Sequence, residues 1–141
     1  MTAKLTRDNV INEARSWLGT PFQHQGRLKN VGCDCIGLVI AINKKFKITE
    51  YDRNDYARYP SLGLLEKELR AHLVEVPREK VRYGDVLLMR VKRDPQHVAI
   101  LTKEGNIIHA YQGSKKVIEV PFQGFWENRV THCFSFPGIQ A

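Results

Sequence analysis

The stretch Gly32-Cys33-Asp34-Cys35-Ile36-Gly37-Leu38-Val39-Ile40-Ala41-Ile42 decides the fold. After Cys35 it is apolar on every face, a pattern that suits either a central strand or a fully buried helix. Because Asp34 is a good N-cap and the run contains strong helix formers, we predict a buried helix that begins at Cys35. Unpaired backbone amides and the positive end of the helix dipole favour a thiolate there. Cys35 is therefore the candidate nucleophile.

Two further helices are predicted on either side of this stretch. Apolar residues recur at helical spacing from Val10 to Leu18, with Asp8 as the N-cap and Gly19 and Pro21 at the end. Residues 20–33 carry turn formers without a period and are predicted to be a loop. A later helix is expected after an N-cap at Ser61. Its inward face would be formed by Leu62, Leu65, Leu69 and Leu73.

After Pro77 the period of the apolar residues changes from helical to strand-like. The β-rich runs are Val86–Val91, Val98–Leu101, Ile107–Tyr111, Val117–Val120 and Val130–Phe136. Helices first and strands later indicate an α+β fold in which N-terminal helices pack on an antiparallel meander of about five strands. The length of 141 residues fits a single domain over residues 1–141.

Two histidines lie in the predicted strands. His97 begins one run, and His109 is in the next. A loop from Thr102 to Asn106 has an odd number of residues, so both side chains would share a face of the hairpin. That register makes them diagonal neighbours about 7 to 8 Å apart at the backbone, a gap that histidine side chains can close. Together with Cys35 they form a candidate nucleophile and base.

Each of these residues could instead have a purely structural role. Taken alone, Cys35 is better explained as a small apolar core residue, and His109 as a hydrogen-bonded core histidine. A zinc site of Cys33, Cys35, His97 and His109 is a further alternative, but Cys-x-Cys is shorter than the usual Cys-x2-Cys knuckle. No metal and no cofactor are predicted.

Charge, apolar run length and cysteine content argue against several classes of protein. Lys and Arg number 22 against 15 Asp and Glu, which gives a net charge of +7, but the basic residues are scattered and no nucleic-acid partner is predicted. The longest apolar run, Ile36–Ile42, is too short to span a membrane. The 3 cysteines form no disulfide framework, and the N-terminus lacks the apolar core of a secretory signal, so synthesis in the cytosol is expected.

Several motifs resemble the NlpC family of papain-like cell-wall cysteine peptidases. They are Trp17-Leu18-Gly19-Thr20-Pro21-Phe22, Gly32-Cys33-Asp34-Cys35-Ile36-Gly37-Leu38, Gly84-Asp85-Val86-Leu87, His97-Val98-Ala99-Ile100 and Ile107-Ile108-His109-Ala110. The resemblance implies a papain-like single domain that hydrolyses an amide in the stem peptides of peptidoglycan. It implies Cys35 as nucleophile, His97 as general base and then acid, and His109 as the residue that orients the imidazole.

The resemblance also bears on residues around the nucleophile. It implies that Asp34 contacts the amine of the stem peptide. The family usually has a tyrosine where this chain has Phe22, and the resemblance implies that such a hydroxyl supports the oxyanion site. We expect Gln23, His24 or backbone amides to take its place.

The segment Phe134-Ser135-Phe136-Pro137-Gly138 looks most like the phage tail-associated branch of the family. This implies phage tail proteins as further partners, and either a place in the virion or delivery to the wall by a route other than general secretion. Two alternatives remain. One is an amidase, acyltransferase or glutaminase of the same fold acting on another substrate, and the other is a non-catalytic tail assembly module.

Overall fold

A computed structural model of the chain describes residues 4–48, 52, 63–91 and 95–140. The helices are α1 (Arg7–Arg15), α2 (Cys35–Lys45) and α3 (Leu64–His72). The strands are β1 (Arg27–Leu28), β2 (Gly32–Cys33), β3 (Val74–Val76), β4 (Val86–Arg90), β5 (Pro95–Leu101), β6 (Asn106–Tyr111), β7 (Lys116–Pro121) and β8 (Val130–Ser135). The α+β class is confirmed.

The main sheet is antiparallel, with the strand order β3-β8-β4-β5-β6-β7. It has 6 strands, one more than the sequence indicated. The additional strand is β3, whose Val74–Val76 pair with residues 133–135 of β8. A run of three residues is too short to show a period of its own, which is why the sequence pattern missed it.

Helix α1 begins and ends differently from the prediction. The N-cap is Thr6, whose side chain accepts a hydrogen bond from the Asn9 amide at 3.0 Å, and Asp8 lies in the first turn instead. There its carboxylate still faces the positive end of the helix dipole. Regular helix stops at Arg15, and Leu18, expected on the inward face, is 40% exposed.

The region predicted to be a loop before Cys35 contains a short hairpin. Strands β1 and β2 pair with each other, and Phe22 forms an isolated bridge to Cys33. The inward leucines of α3 that the structure describes, Leu65, Leu69 and Leu73, are buried as predicted. Helix α3 follows Gly63, while the predicted cap Ser61 and Leu62 lie outside the described residues.

The sheet separates two apolar clusters. The larger one joins α1, α2 and α3 to the sheet face that carries Val86, Leu88 and Ile100. The smaller one contains Leu87, Met89, Ala99, Ile107 and Cys133, with Phe122 and Trp126 packed against it. Residues that alternate along one strand fall into different clusters, as expected for a sheet covered on both faces. The segment after β7 therefore covers the face opposite the helices.

A buried carboxylate fixes the start of β4. Asp85 is 1% exposed, and its Oδ1 accepts from Arg7 Nη1 at 2.7 Å and from the Ser135 hydroxyl at 2.6 Å. Its Oδ2 accepts from the Arg82 amide at 2.9 Å. Gly84 precedes it at φ +86°, in the left-handed region that favours glycine. The Gly-Asp motif therefore ties α1, β4 and β8 together.

None of the helices in the described part of the chain is both long and apolar enough to cross a bilayer.

Candidate active site

Cys35 is the first residue of α2, as the sequence predicted. Asp34 caps the helix, and its Oδ1 accepts a hydrogen bond from the Gly37 amide at 2.8 Å. The preceding loop lies very close to this turn, because a Cβ on Gly37 would stand 2.4 Å from the Gly26 carbonyl oxygen. Only glycine fits there, so the Asp-Cys-x-Gly motif sets the position of the thiol.

His97 and His109 lie in contact, as the predicted register requires. Leu101 pairs with Ile107 and Ile100 with Ile108, which makes the two histidines diagonal neighbours on β5 and β6. Their rings are hydrogen-bonded, with His97 Nε2 at 2.6 Å from His109 Nδ1. Both are buried, His97 at 5% and His109 at 0% exposure.

Cys35 and His97 line one cavity of about 470 Å³. The backbone amides of Val98 and Ile36 are near enough to the Cys35 sulfur to favour its thiolate form, so the thiol lies against the strand that carries His97. The other residues around the cavity are Phe22, Val91, Gln96, Ala110, Tyr111, Gln112, Gly113 and Lys115. A nucleophile and a base therefore share a space that a substrate can enter.

Burial holds both groups in their neutral forms. Desolvation raises the pKa of the Cys35 thiol to about 12, and the nearby Asp34 carboxylate adds to this, against the lowering by the two backbone amides. Desolvation and the neighbouring His109 hold the pKa of His97 well below 6.5. Burial also lowers the pKa of His109 to about 4. The sequence predicts that the helix N-terminus stabilises the thiolate. In the structure, loss of water around the sulfur destabilises the thiolate by more.

The other predicted site residues are placed differently. Phe22 lines the cavity, whereas Gln23 and His24 are absent from its described lining. The Gln23 side chain packs against Gly32, where a Cβ would stand 2.1 Å from Gln23 Oε1. His24 Nδ1 is 4.0 Å from Asp34 Oδ2. The structure therefore does not bring Gln23 or His24 to the place where a replacement for the missing hydroxyl was expected.

Asp34 is engaged within the protein. It is 4% exposed, and besides the Gly37 amide it accepts from the Gln25 amide at 2.7 Å and from Arg27 Nη1 at 3.2 Å. Through these contacts Asp34 caps α2 and fixes the position of the loop before Cys35. Its expected contact with a substrate amine stays a prediction.

Two aromatic residues of the site were missed from the sequence. Tyr111 stacks on His109 with ring centroids 5.3 Å apart and lines the cavity. Trp126 contacts both histidine rings, at 5.4 Å from His97 and 4.9 Å from His109. Tyr111 follows His109 by two residues, so strand alternation could have placed it beside that histidine. Trp126 comes from an irregular segment, and no local pattern indicates its position.

The family model described as the NlpC/P60 family matches residues 19–135 of the chain. The match includes Cys35, His97 and His109 and covers well over half of the sequence. The chain belongs to the NlpC/P60 family. None of the curated protein sequences compared with it matches.

Solved structures of this family share the fold. An NlpC/P60 family protein from Bacillus cereus superposes with a TM-score of 0.73 at 22% identity, over 96% of this chain and 41% of the other. The NlpC/P60 domain of the peptidoglycan hydrolase SagA gives 0.67 at 21% identity, over 93% and 99% of the two chains. The peptidoglycan hydrolase RipB from Mycobacterium tuberculosis gives 0.63 at 21%, over 92% and 63%. The chain thus spans less than half of the Bacillus cereus protein and nearly all of the SagA domain.

Within the residues that the structure describes, no group of three or more His, Cys, Asp or Glu side chains is placed to hold a metal ion. Cys33, which the zinc alternative would require, is fully buried in the cluster on the helix side of the sheet. Cys35 and His97 line the cavity and His109 is hydrogen-bonded to His97, so the site presents a thiol and two imidazoles.

The raised pKa of Cys35 predicts a particular pH dependence of its alkylation. Only the thiolate reacts, and its fraction rises about tenfold per pH unit while the pH stays below the pKa. We expect iodoacetamide labelling of Cys35 to accelerate steadily from pH 7 to pH 9, as read by peptide mapping. Cys33 and Cys133, which are 0% and 1% exposed, should label more slowly in the same maps. A rate independent of pH over this range would show that the thiolate is already formed.

Proposed function

We propose that this protein is a cysteine peptidase that hydrolyses an amide bond in the stem peptides of peptidoglycan. The observation that carries the proposal is the shared cavity of Cys35 and His97, with His97 hydrogen-bonded to a second buried histidine. Membership of the NlpC/P60 family supports it, as do the structural neighbours SagA and RipB, which are peptidoglycan hydrolases.

The first half of the reaction forms a thioester. His97 takes the thiol proton while the Cys35 sulfur attacks the substrate carbonyl carbon. Since Nε2 of His97 is engaged with His109, the proton goes to Nδ1. The C–N bond then breaks, and the imidazolium gives the same proton to the leaving amine.

The second half releases the product. Water loses a proton to His97 and attacks the thioester. The C–S bond then breaks, and the imidazolium returns its proton to the Cys35 sulfur, which restores the thiol and the neutral base. Negative charge on the carbonyl oxygen would be stabilised in both halves by backbone N–H groups at the start of α2. The Gly37 amide is occupied by Asp34, whereas the Cys35 amide has no hydrogen bond to the described residues and is the available donor.

Digestion of purified sacculi tests this function. The wild-type protein should clear the suspension and Cys35→Ala should not, because no other described group in the cavity can form the thioester. Cys133→Ala is the matched control: Cys133 is buried in the cluster on the opposite face of the sheet, so clearing should persist. Mass spectrometry of the fragments would identify the bond that is cut, and we expect the bond between D-glutamate and the diamino acid, which is commonly the one cut in the family that the sequence resembles.

Failure of both wild type and Cys35→Ala to clear sacculi would reject the proposal. It would favour either an amidase or acyltransferase on another substrate or a non-catalytic module. The association with a phage tail, and delivery by a route other than general secretion, stay predictions from the sequence.

A further inference from the structure

His109 has a buried nitrogen without a partner. Its Nδ1 meets His97 Nε2, while its Nε2 has no hydrogen bond to the described residues and is shielded from solvent. The low pKa values of both histidines make the pair neutral at pH 7, so each ring carries one proton. The position of those two protons decides whether His97 can act as a base.

The shared hydrogen bond allows two arrangements. In the first, His97 Nε2–H donates to His109 Nδ1, so that His97 Nδ1 is bare and His109 carries its proton on Nε2. In the second, His109 Nδ1–H donates to His97 Nε2, and the proton of His97 sits on Nδ1. Only the first leaves a nitrogen that can take the thiol proton of Cys35.

The first arrangement, which leaves His97 able to act as a base, carries an energetic penalty. It buries an N–H donor at His109 Nε2, and a buried donor without an acceptor is costly. The second arrangement leaves only a lone pair at that atom. Something near His109 Nε2 must therefore accept a hydrogen bond if the first arrangement is to be preferred.

Trp126 has the required geometry. Its ring plane is perpendicular to His109, at 90° with centroids 4.9 Å apart, and to Tyr111, at 89° and 5.0 Å. His109 and Tyr111 are themselves parallel and stacked. Perpendicular rings at such distances meet edge to face, so the indole makes an edge-to-face contact with each of these two rings.

We propose that Trp126 is a positioning residue that sets the tautomer of the His97–His109 pair, by accepting the His109 Nε2–H on its indole face. The negative face of an aromatic ring attracts an N–H and repels a lone pair, so it favours the first arrangement over the second. The consequence for catalysis rests on the proposed function, but the tautomer itself does not.

Nitrogen-15 NMR of the histidine rings tests the inference directly. In the folded wild-type protein at pH 7, His97 and His109 should both carry their proton on Nε2. A proton on Nδ1 of His109 in the wild type would overturn the inference at once, before any variant is made.

Two substitutions at Trp126 distinguish the effect of its aromatic face from the effect of its size. Trp126→Leu keeps an apolar cover without a π face, and the protons should move toward Nδ1 of both rings. Alkylation of Cys35 at pH 7 should then slow by about three- to fivefold, the size of a weak hydrogen bond. Trp126→Phe restores an aromatic face and should recover most of both effects. Trp126→Leu with the wild-type tautomer and rate would contradict the proposal.

Phe125→Leu is the matched control. Phe125 is 54% exposed and contacts the Trp126 ring, at 4.9 Å between centroids, but neither histidine ring. Phe125→Leu therefore changes a neighbour of the indole and keeps the indole face, so tautomer and rate should stay unchanged. Neither readout needs a substrate. A protein with the expected tautomer that fails to digest sacculi would reject the proposed function alone, and digestion with the opposite tautomer would reject this inference alone.

Discussion

His97→Ala is expected to reduce kcat/KM by about 10²- to 10⁴-fold, the contribution of a positioned general base. Desolvation holds the Cys35 thiol neutral, and of the described side chains around the cavity only the His97 imidazole suits proton transfer near neutral pH. Without it, neither attack by sulfur nor departure of the amine is assisted. Steady-state rates on a defined muropeptide would measure the loss.

Substitutions at His109 should give a graded series in the same assay. His109→Ala removes the partner of His97 Nε2 and should lower kcat while leaving measurable turnover, since the orienting residue acts only through the base. His109→Asn should lose less, because its carbonyl oxygen can accept from the ring N–H. His132→Ala is the control, since His132 is on β8 and outside the described cavity lining. An unchanged rate in His109→Ala would reduce His109 to a core residue.

Asp85→Ala is expected to lower the free energy of unfolding by about 3–5 kcal/mol, the usual cost of removing one partner of a buried ion pair. The carboxylate accepts hydrogen bonds from Arg7, the Ser135 hydroxyl and the Arg82 amide. Its loss leaves the Arg7 guanidinium, whose side chain is 11% exposed, without a counter-charge. Urea denaturation at pH 7 would measure the change.

Ser135→Ala is the control for this site. It removes one hydrogen bond of the same carboxylate but leaves the ion pair, so a loss of only about 1 kcal/mol is expected. Equal losses in the two variants would show that the hydroxyl contact, and not the charge of Asp85, stabilises this junction.

The candidate site could be predicted from the sequence where a helix-capping residue and the alternation of side chains along strands determine the structure. Asp34 before an apolar run placed the helix start at Cys35, and the odd loop between β5 and β6 placed His97 beside His109. Both inferences use only neighbours in sequence. The cap of α1 was misplaced because Thr6 and Asp8 are both good capping residues within one turn.

Features that depend on distant parts of the chain were not predictable. The neutral Cys35 thiol results from packing against β5, which a dipole argument from sequence cannot weigh. Strand β3 exists because β8 offers it a partner, and Trp126 reaches the histidines from the segment between β7 and β8. Such contacts become visible only when the tertiary structure is known.

The position of β8 between β3 and β4 has a consequence for synthesis on the ribosome. A nascent chain that ends at Arg129 has every other strand of the sheet, yet β4 presents an open edge and β3 has no partner. Open strand edges recruit other chains, so this intermediate is prone to aggregation. The sheet can be completed only after Val130–Ser135 have left the exit tunnel. The Ser135 hydroxyl can then donate its hydrogen bond to Asp85.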